Sequence, residues 1–309
     1  MRGKEQETAF ARFGSVHNEA PKVAVLMAAY NGERFIAEQI ESILCQEYVS
    51  VTLFVSVDFS SDSTLEIVNA YSRENKNIVA LPYGAKYGSA AQNFFRLIRD
   101  VNVEEFDYFS LSDQDDIWDS KKINEAVQTL RKSRCNAYSS NVLAFWDGGR
   151  TRLIEKAQPF RQWDYLFESA GPGCSYVLDK NLVQKLKAVL LLKFEQTQKV
   201  ALHDWFIYAF ARTHGYRWII DSRSFILYRQ HGGNVIGANN GLKSALRRYK
   251  LSRQGWYKFQ TALFVEMFEV DRFRGRLNDY FYLLRHVSHF RRRKLDRLAL
   301  AILFLFRFY

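Results

Sequence analysis

The sequence predicts an α/β protein with a mainly parallel sheet flanked by helices. Three observations carry that expectation. From Lys22 onward, short β-rich apolar runs alternate with stretches whose apolar residues recur at helical spacing, which is the pattern of repeated βα units. A chain of 309 residues, 48% of them apolar, has enough material for one sizeable core and an appendage. A dense acidic cluster follows directly on one of the apolar runs, where open α/β sheets place their ligands.

The elements follow in order. Lys22 to Ala28 forms the first strand. After Asn31-Gly32, residues Phe35, Ile36, Ile40, Ile43 and Leu44 define an amphipathic helix. Thr52 to Val57 is the second strand. Ser63 as N-cap and Glu66 at the third helical position read as a capping box, opening a helix with Leu65, Ile67, Val68 and Tyr71. Ile78 to Leu81 is the third strand, Gly88 to Asp100 a helix, Tyr108 to Leu111 the fourth strand and Lys121 to Arg131 another helix. Further on, Trp205, Phe206, Tyr208, Ala209 and Phe210 give a helical pattern, and Phe225 to Tyr228 a strand.

Charge divides the chain. Residues 243–309 hold 16 Lys and Arg against 5 Asp and Glu, which accounts for the whole net charge of +11. We therefore read a polar N-terminal segment at 1–20, a balanced catalytic region at 21–241, and a basic, aromatic-rich helical extension at 242–309. Cys45, Cys135 and Cys174 form no CxxC or CxxH pattern, which argues against structural zinc and a disulfide scaffold. Residues 1–20 lack an apolar stretch of signal-peptide length, so the expectation is a cytoplasmic protein.

Ser112-Asp113-Gln114-Asp115-Asp116 places three carboxylates within four residues, with no Lys or Arg among them. Such a cluster repels itself unless protons or a cation neutralise it, and oxygen ligands select hard ions such as Mg2+ or Mn2+. A metal chelated to a diphosphate is the expected ligand; a solvated acidic turn is the alternative. The residues ending the other strands join the same site. Tyr30 can stack on a base and Asp58 can accept from a base N–H, against the plainer readings of core packing and a turn cap.

In ordered combination, KVAVLMAAYNG at 22–32, DFSSDST at 58–64, SDQDDIW at 112–118 and HDW at 203–205 resemble the family 2 inverting glycosyltransferases. YRQHGGN at 228–234 further resembles the rhamnosyltransferase-like branch that builds bacterial surface polysaccharides such as capsule and O-antigen. The likeness spans about residues 20–240. It implies a GT-A fold, a nucleoside-diphosphate sugar donor, a saccharide or lipid-linked saccharide acceptor, and a divalent cation, Mn2+ or Mg2+. It also implies that Ala28, Tyr30 and Asp58 line the nucleoside pocket, that Asp113 lies near the donor ribose or sugar, and that Asp115 holds the metal. One departure stands out: the family usually has two acids and a glycine where this chain has Val57, Asp58 and Phe59.

The resemblance makes Asp204 the catalytic base, needed because the attacking hydroxyl must lose a proton; a helix N-cap is the plainer reading. Arg229 and His231 lie in a Gly-rich loop, where an arginine can grip phosphate and an imidazole can ligate Mn2+. Gly171-Pro172-Gly173 can let backbone approach the acceptor. In the extension, Arg291-Arg292-Arg293-Lys294 precedes Leu298 to Phe306, nine apolar residues that are too few to span a bilayer but can lie in an anionic interface. We therefore expect peripheral attachment to the inner face of the cell membrane. A helical hairpin or a homo-oligomer interface is the alternative, and no nucleic-acid partner is expected. A sugar-phosphate nucleotidyltransferase would share the acids but wants a basic Gly-rich loop after the first strand, which Ala28 to Arg34 lacks. A non-catalytic nucleotide- or saccharide-binding module would need only the pocket.

Overall fold

The computed structural model describes residues 19–231 and 241–309. Gly232, Gly233 and Asn234 of the loop motif, and most of the polar N-terminal segment, lie outside the described residues. The chain runs β1 (Lys22–Ala29), α1 (Ile36–Leu44), β2 (Ser50–Val57), α2 (Thr64–Glu74), β3 (Ile78–Ala80), α3 (Ala90–Asp100), β4 (Tyr108–Asp113), β5 (Ile117–Trp118), α4 (Lys122–Ser133), β6 (Ala137–Trp146), β7 (Thr151–Ile154), β8 (Val177–Asp179), α5 (Lys180–Leu192), α6 (Phe194–Thr197), α7 (His203–Thr213) and β9 (Trp218–Gln230). Four helices follow: α8 (Gly241–Arg253), α9 (Trp256–Met267), α10 (Tyr280–His286) and α11 (Lys294–Leu305).

The sheet order is β3-β2-β1-β4-β8-β6-β9-β5, with β7 on β6. The first four strands are mutually parallel, as the βα alternation requires. Their C-terminal ends therefore share one edge. Register places Ala28 between Ser56 and Asp113, so the residues that end three strands are neighbours. Beyond β4 the sheet changes character. β8 runs antiparallel to β4, β6 antiparallel to β8, and the long β9 parallel to β6.

The two faces of β1 feed separate cores, because alternate side chains point to opposite sides. Val23, Val25 and Met27 pack with Ile36, Ile40 and Ile43 of α1 on one face. Ala24 and Leu26 pack with Phe94 and Leu97 of α3 on the other. That second core extends through Phe206 and Phe210 of α7 to Phe264, Phe273, Leu283, Phe290, Leu300 and Phe304, so the C-terminal helices share it. No helix among the described residues is long and apolar enough to cross a membrane.

One expected cap is displaced. Ser63 makes no side-chain cap bond; Asp62 Oδ1 accepts the Thr64 amide at 3.1 Å, while Glu33 takes the Ser63 amide at 3.0 Å. The aspartate one residue earlier outcompetes the serine because its ionised oxygen is the stronger acceptor and it also accepts from the Thr64 hydroxyl at 2.5 Å.

Candidate active site

Strand β4 ends at Asp113, and the next three residues turn back toward β9 rather than into solvent. β5 pairs antiparallel with β9, Ile117 opposite Leu227 and Trp118 opposite Ile226. This clamps the acidic turn between two strands. The Arg229 amide donates to Asp116 Oδ1 at 3.2 Å and its Nε donates to the Asp115 carbonyl at 2.9 Å. The same guanidinium pairs with Glu38 of α1 and lies over the rings of Phe35 and Phe145. The expected phosphate-gripping arginine thus braces the turn from beneath.

His231, next along the chain, meets the turn from the other side, with Nε2 2.6 Å from Asp115 Oδ2. The two expected metal ligands are therefore adjacent. Asp116 is fully buried; Oδ2 has no hydrogen-bond partner among the described residues, and one carboxylate oxygen lies within 4.8 Å of ligand atoms of Asp113 and Cys174. Burial, then Asp115 and Asp113, push the Asp116 pKa well above the carboxylate range. Asp113 is pushed up to about 7 by burial, with Asp115 and Asp204 adding to the effect. That buried carboxylate oxygen and the mutual repulsion among the acids fit a site that takes a cation, and the carboxylate oxygens suit a hard divalent ion.

Cations missing from the local sequence arrive from elsewhere. Lys122, fully buried at the start of α4, donates Nζ to Ser110 Oγ at 2.6 Å and sits 3.4 Å over the Trp118 ring. Burial lowers its pKa to about 7, against the opposing pull of Cys174 and Asp116. Gln114, the one uncharged residue within the turn, faces outward instead. Its amide accepts from the Tyr30 amide at 2.7 Å and donates to the Tyr30 carbonyl at 2.8 Å, joining the ends of β1 and β4. Gly32 makes this possible, since a Cβ there would lie 2.4 Å from Gln114 Oε1.

On the nucleoside side, Tyr30 is 58% exposed, so core packing does not explain it. Asp58 is buried and accepts the amides of Phe59, Tyr87 and Gly88, each at 2.8 Å, fixing the loop before α3. Phe59 is exposed and stacks on Tyr83, their ring centres 6.1 Å apart. The departure from the family pattern thus builds an aromatic wall beside Asp58.

Asp204 is the second residue of α7, whose N-cap is Leu202, so it is not the cap. Oδ1 accepts the Trp205 amide at 2.7 Å. Burial raises its pKa to about 6, moderated by that amide, by the Ser169 hydroxyl and by Lys156. Its backbone carbonyl lies 3.3 Å from Tyr176 Oη, and the Tyr176 carbonyl accepts the Leu111 amide of β4 at 3.2 Å, which ties the start of α7 to the strand that ends in Asp113. His203 beside it packs on Phe94 with ring centres 4.0 Å apart, and burial lowers its pKa to about 3. Gly173 is the floor under this imidazole: a Cβ there would lie 2.3 Å from His203 Nε2. Trp118 and Trp205 are both buried, the latter donating Nε1 to the Tyr165 carbonyl at 2.8 Å.

A family model described as "Glycosyltransferase like family 2" matches residues 20–170. Over 248 residues the chain is 43% identical to the dTDP-rhamnosyl transferase RfbG of Shigella flexneri, spanning 80% of this chain and 86% of that protein. The chain belongs to the family 2 glycosyltransferases. It is a nucleotide-sugar glycosyltransferase of polysaccharide synthesis with a GT-A fold. The fold is shared with the S. aureus protein TarS, residues 1–349, in complex with UDP-GlcNAc, at a TM-score of 0.55 and 16% identity, covering 93% of this chain and 80% of that one. It is also shared with the mannosyltransferase PcManGT of Pyrobaculum calidifontis in complex with GDP-Man and Mn2+, at 0.52 and 15%, covering 92% and 79%.

Four residues of this glycosyltransferase site were not legible as such in the sequence: Glu38, Lys122, Lys156 and Ser169. Lys122 sits on a helix face like any solvated charge until packing buries it, and Glu38 stays exposed but pairs with Arg229 from a distant part of the chain.

Proposed function

We propose that this enzyme transfers rhamnose, with inversion, from a dTDP-linked donor to a saccharide or lipid-linked saccharide acceptor. The donor assignment rests on the 43% identity to RfbG over most of both chains. The mechanistic reading is supported by one link: the Tyr176 carbonyl accepts the Leu111 amide of β4 at 3.2 Å while its hydroxyl lies 3.3 Å from the Asp204 carbonyl, so the start of α7 is tied to the strand that ends in Asp113.

In this reading, Asp204 takes the proton from the acceptor hydroxyl as that oxygen bonds to the anomeric carbon. The bond from that carbon to the diphosphate oxygen breaks, and its electron pair leaves on the diphosphate. A single displacement of this kind inverts the anomeric configuration and needs no covalent sugar intermediate. A base titrating near 6 is ionised at neutral pH yet basic enough to accept a proton in the transition state. Asp115 and His231 would hold a divalent cation, which when bound offsets the charge gathering on the diphosphate. Arg229 contributes by fixing the Asp115 carbonyl. Tyr30, Ala28 and Asp58 line the nucleoside side, with Asp113 toward the sugar.

Peripheral membrane attachment belongs to the same proposal. Leu295, Leu298, Ile302, Leu305 and Phe306 are exposed along α11 while Leu300 and Phe304 face the core. Arg293 and Lys294 are exposed at the start of the helix. An apolar stripe beside cations suits an anionic bilayer holding a lipid-linked acceptor.

The test is a donor panel with purified protein and Mn2+ or Mg2+, following nucleoside diphosphate release. Release from dTDP-rhamnose in preference to UDP- and GDP-hexoses is the expected result. Preferential turnover of a hexose donor removes the rhamnosyl assignment, and pyrophosphate exchange without diphosphate release removes glycosyl transfer.

A further inference from the structure

The C-terminal helices reach into the catalytic region behind Asp204. Arg292 lies in a run of four cations, yet it is 3% exposed. Its amide donates to Glu168 Oε1 at 2.6 Å and its Nη2 to the Ser169 carbonyl at 2.6 Å. Nη1 lies 3.4 Å from Asp164 Oδ2, and Nη2 3.7 Å from Glu168 Oε2. Asp164, itself fully buried, accepts from Tyr208 and from Arg212, each at 3.0 Å. Tyr208 and Arg212 stand one and two helical turns beyond Asp204 on α7. One guanidinium therefore ties together α7 and the segment that carries Ser169.

Those are the two elements that hold Asp204. The Ser169 hydroxyl donates to the Gly171 carbonyl at 3.1 Å, and Tyr176 Oη lies 3.2 Å from that same carbonyl and 3.3 Å from the Asp204 carbonyl, which joins the Ser169 turn to the start of α7. Fastening the extension to the body does not require Arg292. The Trp163 amide donates to the His289 carbonyl at 3.0 Å, Thr261 donates to the Leu166 carbonyl at 3.0 Å, and Phe290 stacks on Phe167. What Arg292 adds is a short, charge-assisted bond at the residue next to the base.

We propose that Arg292 is a positioning residue for sugar transfer, setting the Ser169 turn against Asp204 and making the C-terminal extension part of the acceptor side of the active site. The inference rests on the reading of Asp204 as base. Full-length Arg292→Gln, Arg292→Lys, Ser169→Ala and Asp204→Asn are compared for kcat, acceptor KM and donor affinity measured by calorimetry. Small misplacements at a reacting group cost up to about a hundredfold in rate. Arg292→Gln should lose about ten- to a hundredfold in kcat with donor affinity within about twofold of wild type, and Arg292→Lys should recover part of the loss. The Arg292→Gln/Ser169→Ala double variant should be no slower than the slower single, because both changes act by loosening the same Ser169 turn.

Losses that multiply in the double variant, an unchanged kcat in both Arg292 variants, or a parallel fall in donor affinity would each overturn the inference. Should Arg292→Gln not fold, Arg292→Lys alone decides. It keeps the charge but has one nitrogen where the guanidinium reaches Asp164 with Nη1 and Ser169 with Nη2, so an unchanged kcat there counts against the proposal. Normal transfer by Asp204→Asn overturns the base assignment instead, which keeps the two failures apart.

Discussion

Asp204→Asn should produce opposite changes in rate and stability, and both sizes follow from the site. Burial raises the carboxylate's pKa to about 6 from an ordinary 3.8. A rise of about two pKa units corresponds to roughly 3 kcal/mol by which the fold disfavours the ionised form. The sign is that of a raised acid: between about pH 4 and 6 the native state binds the extra proton, so wild-type stability declines as pH rises through that window and then levels off. Asparagine is neutral throughout and its Oδ1 can keep the Trp205 amide bond. The variant should therefore be more stable than wild type at pH 8 by up to about 3 kcal/mol, a gap that closes toward pH 4. Transfer should fall by about a hundred- to ten-thousandfold, the usual worth of a general base, with donor affinity retained. Denaturant melts at pH 4 and 8 and nucleotide-release kinetics with calorimetry of donor binding measure all of this. Transfer above about a tenth of the wild-type rate would refute the catalytic assignment. A stability gap independent of pH would refute the burial argument even if activity were lost.

Other expectations are simpler. Wild-type kcat should fall about tenfold per pH unit below about 6 as Asp204 protonates. A flat pH–rate profile down to pH 5 would point to a different base. Asp115→Ala should remove the stimulation of donor binding by Mn2+, read by titrating donor with and without chelator; metal-dependent binding that survives the change would move the ligand role to Asp113 and Asp116. Gly173→Ala forces a Cβ against His203, so it should destabilise by about 1–3 kcal/mol and slow transfer by displacing the start of α7. An unchanged melting midpoint would show that the imidazole has room to move. Leu298→Glu/Ile302→Glu should abolish co-flotation with anionic vesicles while leaving turnover of a water-soluble acceptor intact; undiminished flotation would place membrane contact elsewhere.

The parallel half of the sheet was legible because its signal is local. β1, β2 and β4 are apolar runs a few residues from the strand ends observed, and the acidic turn sits where βα topology presents ligands. The antiparallel half was not. β5 has two residues, too few to show a period, and β8 enters between β4 and β6 only because distant segments meet there. Arg292 shows the deeper difficulty. In sequence it belongs to a solvated basic run, and its burial is decided by Asp164 and Glu168, more than a hundred residues earlier. Asp204 was found through a motif, while the residues that tune it, Ser169 and Lys156, carry none.

The aromatic rings shared between α7 and α9 bear on how this protein could be re-engineered. Phe206 contacts both Phe264 and Phe268, and Trp205, next to Asp204, meets Phe264 edge-on at 5.1 Å. A hybrid that joins this donor half to another enzyme's C-terminus would have to import a complementary set of rings, or accept a loosened helix beneath its own base. Exchanging specificities by swapping tails is thus a repacking problem before it is a recognition problem.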